Sequence, residues 1–529
     1  MMKTRVLITC TGKGERLGNL TKYTNKSLVS VGDKLAIGRI IDNYPKGMTI
    51  VITLGYYGDH VRQYCKIAYP DRDFIFVDVD NYENDGSSLA YSMLCAHEHL
   101  QCPFIFNACD TIVDGPIPAV DATNWIGVVK KLENTSLYST VSADTSGNVV
   151  KLHLKNSLDR GDYAHIGLIG VFDYSVFWDK MRQIYNADVS NPENNDVKCL
   201  EECIKEGYAS HIHEFSQWYD VGSFEILVDI DATKKKNFPV LRKEKESISS
   251  SGDRVIKFFH DESVVSGRVS RAKNSPVFPN IISSSKNFYC YEFISGNVLS
   301  SNINAAIIND LIDWANDNLW VPVSVSRDEV RNVCMKFYKE KTSGRITDYL
   351  EKYNEIILPI NGIAVPPISE LIASIDWDYL VTDIPCWFHG DFILENILMT
   401  SDGSFTAIDW RQDFGGQLKW GDIYYDLAKM NHNLVVNHDI INRDMFKLEI
   451  GVDKIKCDIL RSNNLVECQS TFREKVEKMG FDTAKMDLLT AIVWLNMASL
   501  HHAPFDQFLF YFGKLKLYNT LRKIGGHHG

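Results

Sequence analysis

Residues 7–28 read LITCTGKGERLGNLTKYTNKSL, a hydrophobic run that stops at Cys10 and gives way to Thr11, Gly12, Lys13, Gly14, Glu15 and Arg16. Glycines that follow an apolar strand let backbone N–H groups approach a phosphate chain closely, and Arg16 can grip phosphate oxygens as a fork. Alone, a GxG turn serves equally well as a tight turn that binds nothing. Lys26, one short loop further on, adds a compact positive charge suited to an α-phosphate.

Outward from this stretch, TRVLITC, MTIVITLG, RDFIFVDV and CPFIFNACD read as strands separated by segments long enough for crossover helices, the pattern of a mostly parallel α/β sheet. Asp110 closes the last of these runs, at the carboxyl end of a strand, where such sheets bind ligands. Asp220, in QWYDVGS, is a second acid just before a glycine turn. Two carboxylates that converge would hold Mg²⁺ on phosphate oxygens as pyrophosphate leaves. The segment NDGSSLAYSML, with Ser88, reads either as a base- or acceptor-contacting helix start or as a plain serine N-cap.

The length of 529 residues exceeds one ordinary core, so two or three domains are expected. With 45% hydrophobic and 23% charged residues the composition is that of a folded protein, and a net charge of −12 argues against nucleic acid as main partner. The strand-like RVLIT near the start lacks the long apolar core and small-residue cleavage site expected of a signal peptide, and AIVWLNMASLHHAPFDQFLFYF is broken by His501, His502, Pro504 and Asp506, which suits buried helices better than a membrane span. Twelve cysteines without any CxxC or zinc spacing suggest reduced, mostly buried thiols. The expectation is a cytoplasmic protein that takes small-molecule substrates, with a homo-oligomer left open.

A basic run followed by serines, TKKKNFPVLRKEKESISSSG, marks the expected junction. It divides a domain at 1–235 from one at 253–529, with a linker at 236–252. Beyond it, DRVIKFF and NFYCYEFISG read as antiparallel strands of a small lobe over about 253–300. Amphipathic stretches such as AAIINDLIDWANDNLW then make a helical large lobe over 301–529.

The second chemical signal is CWFHGDFILENILMTSDGSFTAIDW, residues 386–410. Transfer of a γ-phosphoryl group needs a carboxylate to take the acceptor's proton and ligands for the metal that bridges the phosphates. Asp391 suits the base. Asn396, five residues on, and Asp409, after a hairpin turning at Asp402 and Gly403, suit the metal. His389 would orient the loop.

TGKGERL, the downstream lysine, the acid after an apolar strand and the W-x-D-x-G-S element resemble, in that order, the nucleotidyltransferases that make nucleotide sugars and CDP-choline. The resemblance covers roughly residues 1–231 and implies a Rossmann-like, GT-A-like mixed sheet. It implies that Thr11, Gly12, Lys13, Gly14 and Ser88 hold the nucleotide, Arg16 and Lys26 act on its phosphates, and Asp110 and Asp220 bind Mg²⁺. Asn25 where a proline is usual, Cys109 where a glycine is usual and Thr11 where an alanine is common depart from the pattern. A GT-A glycosyltransferase, with VDVD at 77–80 as its metal motif, is the nearest competitor.

HGDFILENIL followed by AIDW resembles aminoglycoside phosphotransferases and choline kinases, an α+β bilobal fold of the protein-kinase type. Upstream, Lys257 matches the lysine that contacts ATP phosphates, and YCYEFISG matches the adenine-binding hinge, with Glu292 and Ile294. Downstream, GDIYYDLAKM matches too, with Asp422 structural. The glycine-rich loop is reduced to SISSSGD, so phosphate cover would rely on serines. Together the resemblances imply a chain that phosphorylates a small alcohol (choline, an amino alcohol, a polyol or a sugar) with ATP, then adds a nucleotidyl group, CMP from CTP foremost, for capsule or lipopolysaccharide decoration. The alternatives are an aminoglycoside-type phosphotransferase with a vestigial N-terminal domain, a sugar-1-phosphate nucleotidyltransferase that uses UTP or dTTP, and a nucleotide-binding scaffold.

Overall fold

The computed structural model describes residues 4–130, 137–155, 157–222, 244–273 and 275–526. Its chain divides into two compact units, one formed by Met1–Val265 with Ile282–Phe293 and the other by Ser266–Ile281 with Ile294–Gly529.

In the first unit, four apolar runs form adjacent parallel strands, in the order Phe104–Ala108, Arg5–Cys10, Ile50–Leu54 and Phe74–Asp78. A strand buried on both faces needs apolar residues at every position. Val6, Ile8 and Cys10 enter one core with Ile37, Ile40, Val61 and Tyr64, whereas Leu7 enters the other with Met93, Phe177 and Trp178. Tyr163–Val171 runs antiparallel beside Phe104–Ala108 and carries the sheet on to Asn124–Lys130 and Thr140–Ala143, which makes it mixed.

The boundary expected from sequence is corrected here. Glu246–Ser251, placed in the linker, is a strand, and it pairs antiparallel with Arg254–Phe259, which pairs in turn with Phe288–Glu292. Residues 223–243, which include the first part of that linker, lie outside the described residues. These strands, assigned to a small lobe of the second domain, share the core of the first unit. Ile256, Phe258, Phe288 and Cys290 bury against the same cluster as Tyr64 and Cys65 of helix Gly58–Ala68. Burial of a Phe or Ile is worth about 1.5–3 kcal/mol. Hydrogen bonds fix the contact: Gln63 Oε1 accepts from Asn287 N (2.9 Å) and Ser285 Oγ (2.7 Å), and Ser250 N donates to Asp33 O at 2.7 Å.

The second unit is chiefly helical. Ala305–Asn318 is capped by Asn304, and Thr483–Ala498 and Phe505–Gly526 pack together. One continuous helical segment runs from Arg327–Cys334 through a π-helical turn, Met335–Glu340, into Lys341–Lys352. The hairpin Ile397–Met399 with Phe405–Ala407 turns at Gly403, whose φ is 84°. Among the described residues no helix is long and apolar enough to cross a membrane.

Candidate functional sites

The glycine loop leaves Arg5–Cys10 and enters a short helical turn, Glu15–Thr21. Gly14 has φ 71°, and a Cβ there would stand 2.7 Å from Lys26 Cβ, so only glycine lets the loop lie against the lysine. Asn25, the departure from the usual proline, anchors the lysine's backbone. Its amide donates to Cys10 O (2.8 Å) and Tyr56 O (2.6 Å), and its Oδ1 accepts from Ser27 N at 2.9 Å.

Asp110 and Asp220 meet through strand pairing. Thr111–Asp114 runs antiparallel to Gln217–Asp220 with Asp220 opposite Thr111, and Val221 N donates to Asp110 O at 3.0 Å. The decisive position is Gly222, the glycine of the W-x-D-x-G-S element. A Cβ on it would lie 2.8 Å from Asp220 Oδ1, 2.9 Å from an Arg16 guanidinium nitrogen and 3.3 Å from Asp110 Oδ2. Both carboxylates and Arg16 therefore surround one point.

Lys26 Nζ bonds Asp110 Oδ2 at 2.9 Å. Burial by itself raises the Asp110 carboxyl, but the Lys26 ammonium outweighs it and holds the group below the usual carboxylate range. Burial likewise opposes the charge on Lys26, and the Asp110 carboxylate outweighs it, so the ammonium titrates above its ordinary value. Tyr138, unremarked in the sequence, donates its hydroxyl to Asp220 Oδ2 at 3.0 Å. Lys13, Gly14, Glu15, Arg16, Tyr82 and Glu83 line a cavity of about 420 Å³, and Lys13 pairs with Glu83 at 3.3 Å.

Gly12 lies within reach of Lys26, its Cβ position 4.0 Å from Lys26 Cε, and Thr11 Oγ1 bonds Ser92 Oγ at 3.0 Å. Ser88 is the N-cap of helix Leu89–Cys95, accepting from Tyr91 N at 3.1 Å, which is the plainer of its two readings. In VDVD, Asp78 pairs with Arg62 at 2.5 Å and Asp80 accepts from Tyr91 Oη at 2.6 Å.

In the second unit His389 organises the loop. Its Nδ1 accepts from Asp391 N (3.1 Å) while Nε2 meets Ile408 O (2.8 Å), so the proton sits on Nε2. Burial pushes the imidazole down to about 4 and keeps it neutral. Asn396 Nδ2 donates to Asp391 O (2.9 Å) and Asp391 Oδ2 (3.1 Å), which leaves its carbonyl oxygen for a cation. Ile408 N donates to Asn396 O at 2.8 Å and Arg411 N to His389 O at 3.0 Å, so Asp409 is held between two residues that bond this loop. Asp409 has φ 59°, a strained value for a non-glycine residue, and its Oδ1 lies 3.3 Å from Arg268.

Several participants had no local sequence signal. Lys429 Nζ bonds Asp391 Oδ1 at 2.7 Å. Asp426 accepts from His389 N and Gly390 N, both at 2.7 Å, and from Trp320 Nε1 at 3.1 Å. Arg271 donates to the carbonyls of Phe388, His389 and Arg411, and burial lowers its guanidinium to about 9. Asp422 is structural as expected: it caps helix Ile423–Asn433 and accepts from Tyr338 Oη at 2.6 Å.

Lys257, expected at the ATP phosphates, is buried in Arg254–Phe259 of the first unit and is no solvated strand lysine. Glu292 ends the strand Phe288–Glu292, exposed, and Ile294 is half-buried in the second unit. The serines expected to cover phosphates are engaged elsewhere: Ser250 Oγ bonds Asp33 and Ser251 Oγ donates to Ala68 O at 3.2 Å.

The donor chemistry fits magnesium at both places. Asp110 with Asp220, and Asn396 with Asp409, offer hard oxygens. Among the described residues no group of three or more His, Cys, Asp or Glu is placed to hold a metal ion.

No family model matches the chain. It is 24% identical over 238 residues to the bifunctional protein GlmU of Methanococcus aeolicus, covering 44% of this chain and 54% of that protein. The GlmU of Methanocaldococcus jannaschii is 24% identical over 258 residues, 47% of this chain and 60% of that protein. The chain thus spans little more than half the length of the curated relatives it matches. Among solved structures, UDP-glucose pyrophosphorylase complexed with UDP-glucose superposes with a TM-score of 0.38 at 16% identity, over 44% of this chain and 98% of that one. The CTP:phosphocholine cytidylyltransferase LicC of Streptococcus pneumoniae does so with a TM-score of 0.37 at 16% identity, over 44% and 99%. Each of these similarities covers 44–47% of this chain.

Proposed function

We propose that the chain performs two consecutive transfers, phosphorylation of a small alcohol by ATP and then nucleotidyl transfer from an NTP, CTP foremost, to the phosphate just formed. The convergence of Asp110, Asp220 and Arg16 on the point faced by Gly222, with Lys26 on Asp110, supports the second transfer. There the phosphate oxygen of the acceptor attacks the α-phosphorus and pyrophosphate leaves. Arg16 and Lys26 hold the phosphates, and Asp110 and Asp220 would hold Mg²⁺, which offsets their charge when bound. The first transfer rests on the loop His389–Asn396. Asp391 takes the proton of the alcohol while Asn396 and Asp409 would hold the cation. The resulting diphosphates are headgroup donors of the kind used for capsules and lipopolysaccharides.

Phosphorus NMR of small alcohols incubated with ATP and each NTP tests this. The native chain is expected to yield a diphosphate diester and pyrophosphate. Asp391→Ala should lower formation of the phosphomonoester by about 10²–10⁴-fold, the usual worth of a general base, and still consume a pre-phosphorylated alcohol. Asp110→Ala should stop at the monoester. Absence of pyrophosphate with every phosphorylated acceptor removes the second transfer.

A further inference from the structure

The two oxygens of Asp391 face different surroundings. Oδ2 takes the Asn396 amide at 3.1 Å, on the side of the candidate metal ligands, and Oδ1 takes the Lys429 ammonium at 2.7 Å. On the Lys429 side the charges are mostly of one sign. Lys341 lies over the rings of Phe337 (4.2 Å to the centroid) and Tyr425 (5.7 Å), and Arg411 lies over Phe337 at 5.0 Å. Arg345 belongs to the same helix as Lys341, one turn on. Burial, then repulsion from Arg411, Lys429 and Arg345, drives the Lys341 ammonium well below its ordinary value, with Asp413 the acid that opposes this. Lys341 makes no ion pair among the described residues. The π-helical turn Met335–Glu340 ends at this lysine, and such turns are frequent at functional sites.

We infer that the alcohol phosphorylated at Asp391 carries an anionic group, carboxylate or phosphate, held by Lys341 and Arg411 on the Lys429 side of the base. This rests on the phosphotransferase reading of Asp391 and specifies its acceptor. A cationic alcohol such as choline would meet repulsion there, and of the five aromatic residues that flank the motif in sequence and could form a choline cage, Trp410, Trp420, Tyr424 and Tyr425 are buried and Trp387 is half-buried. In the step itself the acceptor's hydroxyl oxygen bonds to the γ-phosphorus of ATP and its proton passes to Asp391. The bond from that phosphorus to the β–γ bridging oxygen breaks, and ADP leaves with the electron pair.

ADP release by the full chain is to be compared for glycerate and glycerol 3-phosphate, for the neutral glycerol and ribitol, and for choline and ethanolamine. One of the two anions is expected to exceed glycerol in kcat/KM by about tenfold or more, as for ligands that pair a desolvated charge, and the better one identifies carboxylate or phosphate. Lys341→Met should raise the acceptor KM by about tenfold and leave the KM for ATP within about twofold, with Lys341→Arg restoring most of the loss. A neutral or cationic alcohol as best acceptor overturns the inference and leaves the phosphotransferase reading standing, as does an unchanged acceptor KM in Lys341→Met. Release no greater than that of Asp391→Asn with every alcohol sinks the phosphotransferase reading and the subsite with it.

Discussion

At Gly222 a methyl group has no room, and the reason is chemical as much as steric. The added carbon would press on Asp220 Oδ1 at 2.8 Å, a carboxylate held by Tyr138, and on a guanidinium nitrogen of the exposed Arg16 at 2.9 Å. Gly222→Ala is therefore expected to displace the acids by a fraction of an ångström and lower pyrophosphate release by about 10²-fold, the scale of such misplacements, with thermal unfolding little changed. Unaltered release would show that the carboxylates do not act from these positions. Asp110, Asp220, Lys26 and Arg16 were legible in the sequence because each stands at the end of a strand or in a loop beside one, with an apolar run to announce it. Lys429 and Arg271 were not, because they reach the loop at Asp391 from helices remote in sequence, and helical periodicity does not say which turn faces which loop. Tyr138, just before the strand Thr140–Ala143, was not legible either, because nothing in its own stretch points to Asp220, 82 residues on.

At the scale of elements, the strands Arg5–Cys10, Ile50–Leu54, Phe74–Asp78, Phe104–Ala108, Arg254–Phe259 and Phe288–Glu292 all fall where apolar runs placed them. What the runs could not reveal is their partner. Val255, Ile256, Phe258 and Phe259 are buried on both sides of one strand, a pattern that demands cover on two faces and does not name it. The cover on one face is helix Gly58–Ala68, nearly two hundred residues earlier, with Tyr64 and Phe288 ring centroids 6.1 Å apart and His60 and Phe258 at 5.1 Å. Phe288→Ala is expected to destabilise the first unit by about 3–5 kcal/mol, the cost of a large cavity in a core shared by helix and sheet. Denaturant unfolding followed by amide exchange in Gly58–Ala68 would check it. A loss confined to the strands, with the helix still protected, would mean that the sheet stands apart from that core.

The whole molecule carries buried imidazoles in both units, and their titration sets its response to acid. His60 in the first unit and His389 in the second are each lowered to about 4, burial being the main cause, and His432 falls well below its usual range. A histidine whose folded value is depressed contributes stability that is complete above about 6.5 and is lost as pH falls toward 4, because the unfolded chain takes up the proton first. For the fully buried His389 the loss is of order 3 kcal/mol. Asp426 has the opposite sign. Burial raises it to about 6, so the folded state binds its proton first, and its contribution grows as pH falls from 6 toward the ordinary carboxylate range. Between pH 6 and 4 the acid that holds His389 and Gly390 thus offsets part of what the imidazoles lose. Asp426→Asn removes that offset. It is expected to steepen the decline of stability across this window by up to about 1.4 kcal/mol per pH unit, measured by denaturant titrations at several pH values and compared as slopes. Parallel slopes for the two proteins would place the Asp426 titration outside the window and leave the imidazoles alone in control of the acid limb.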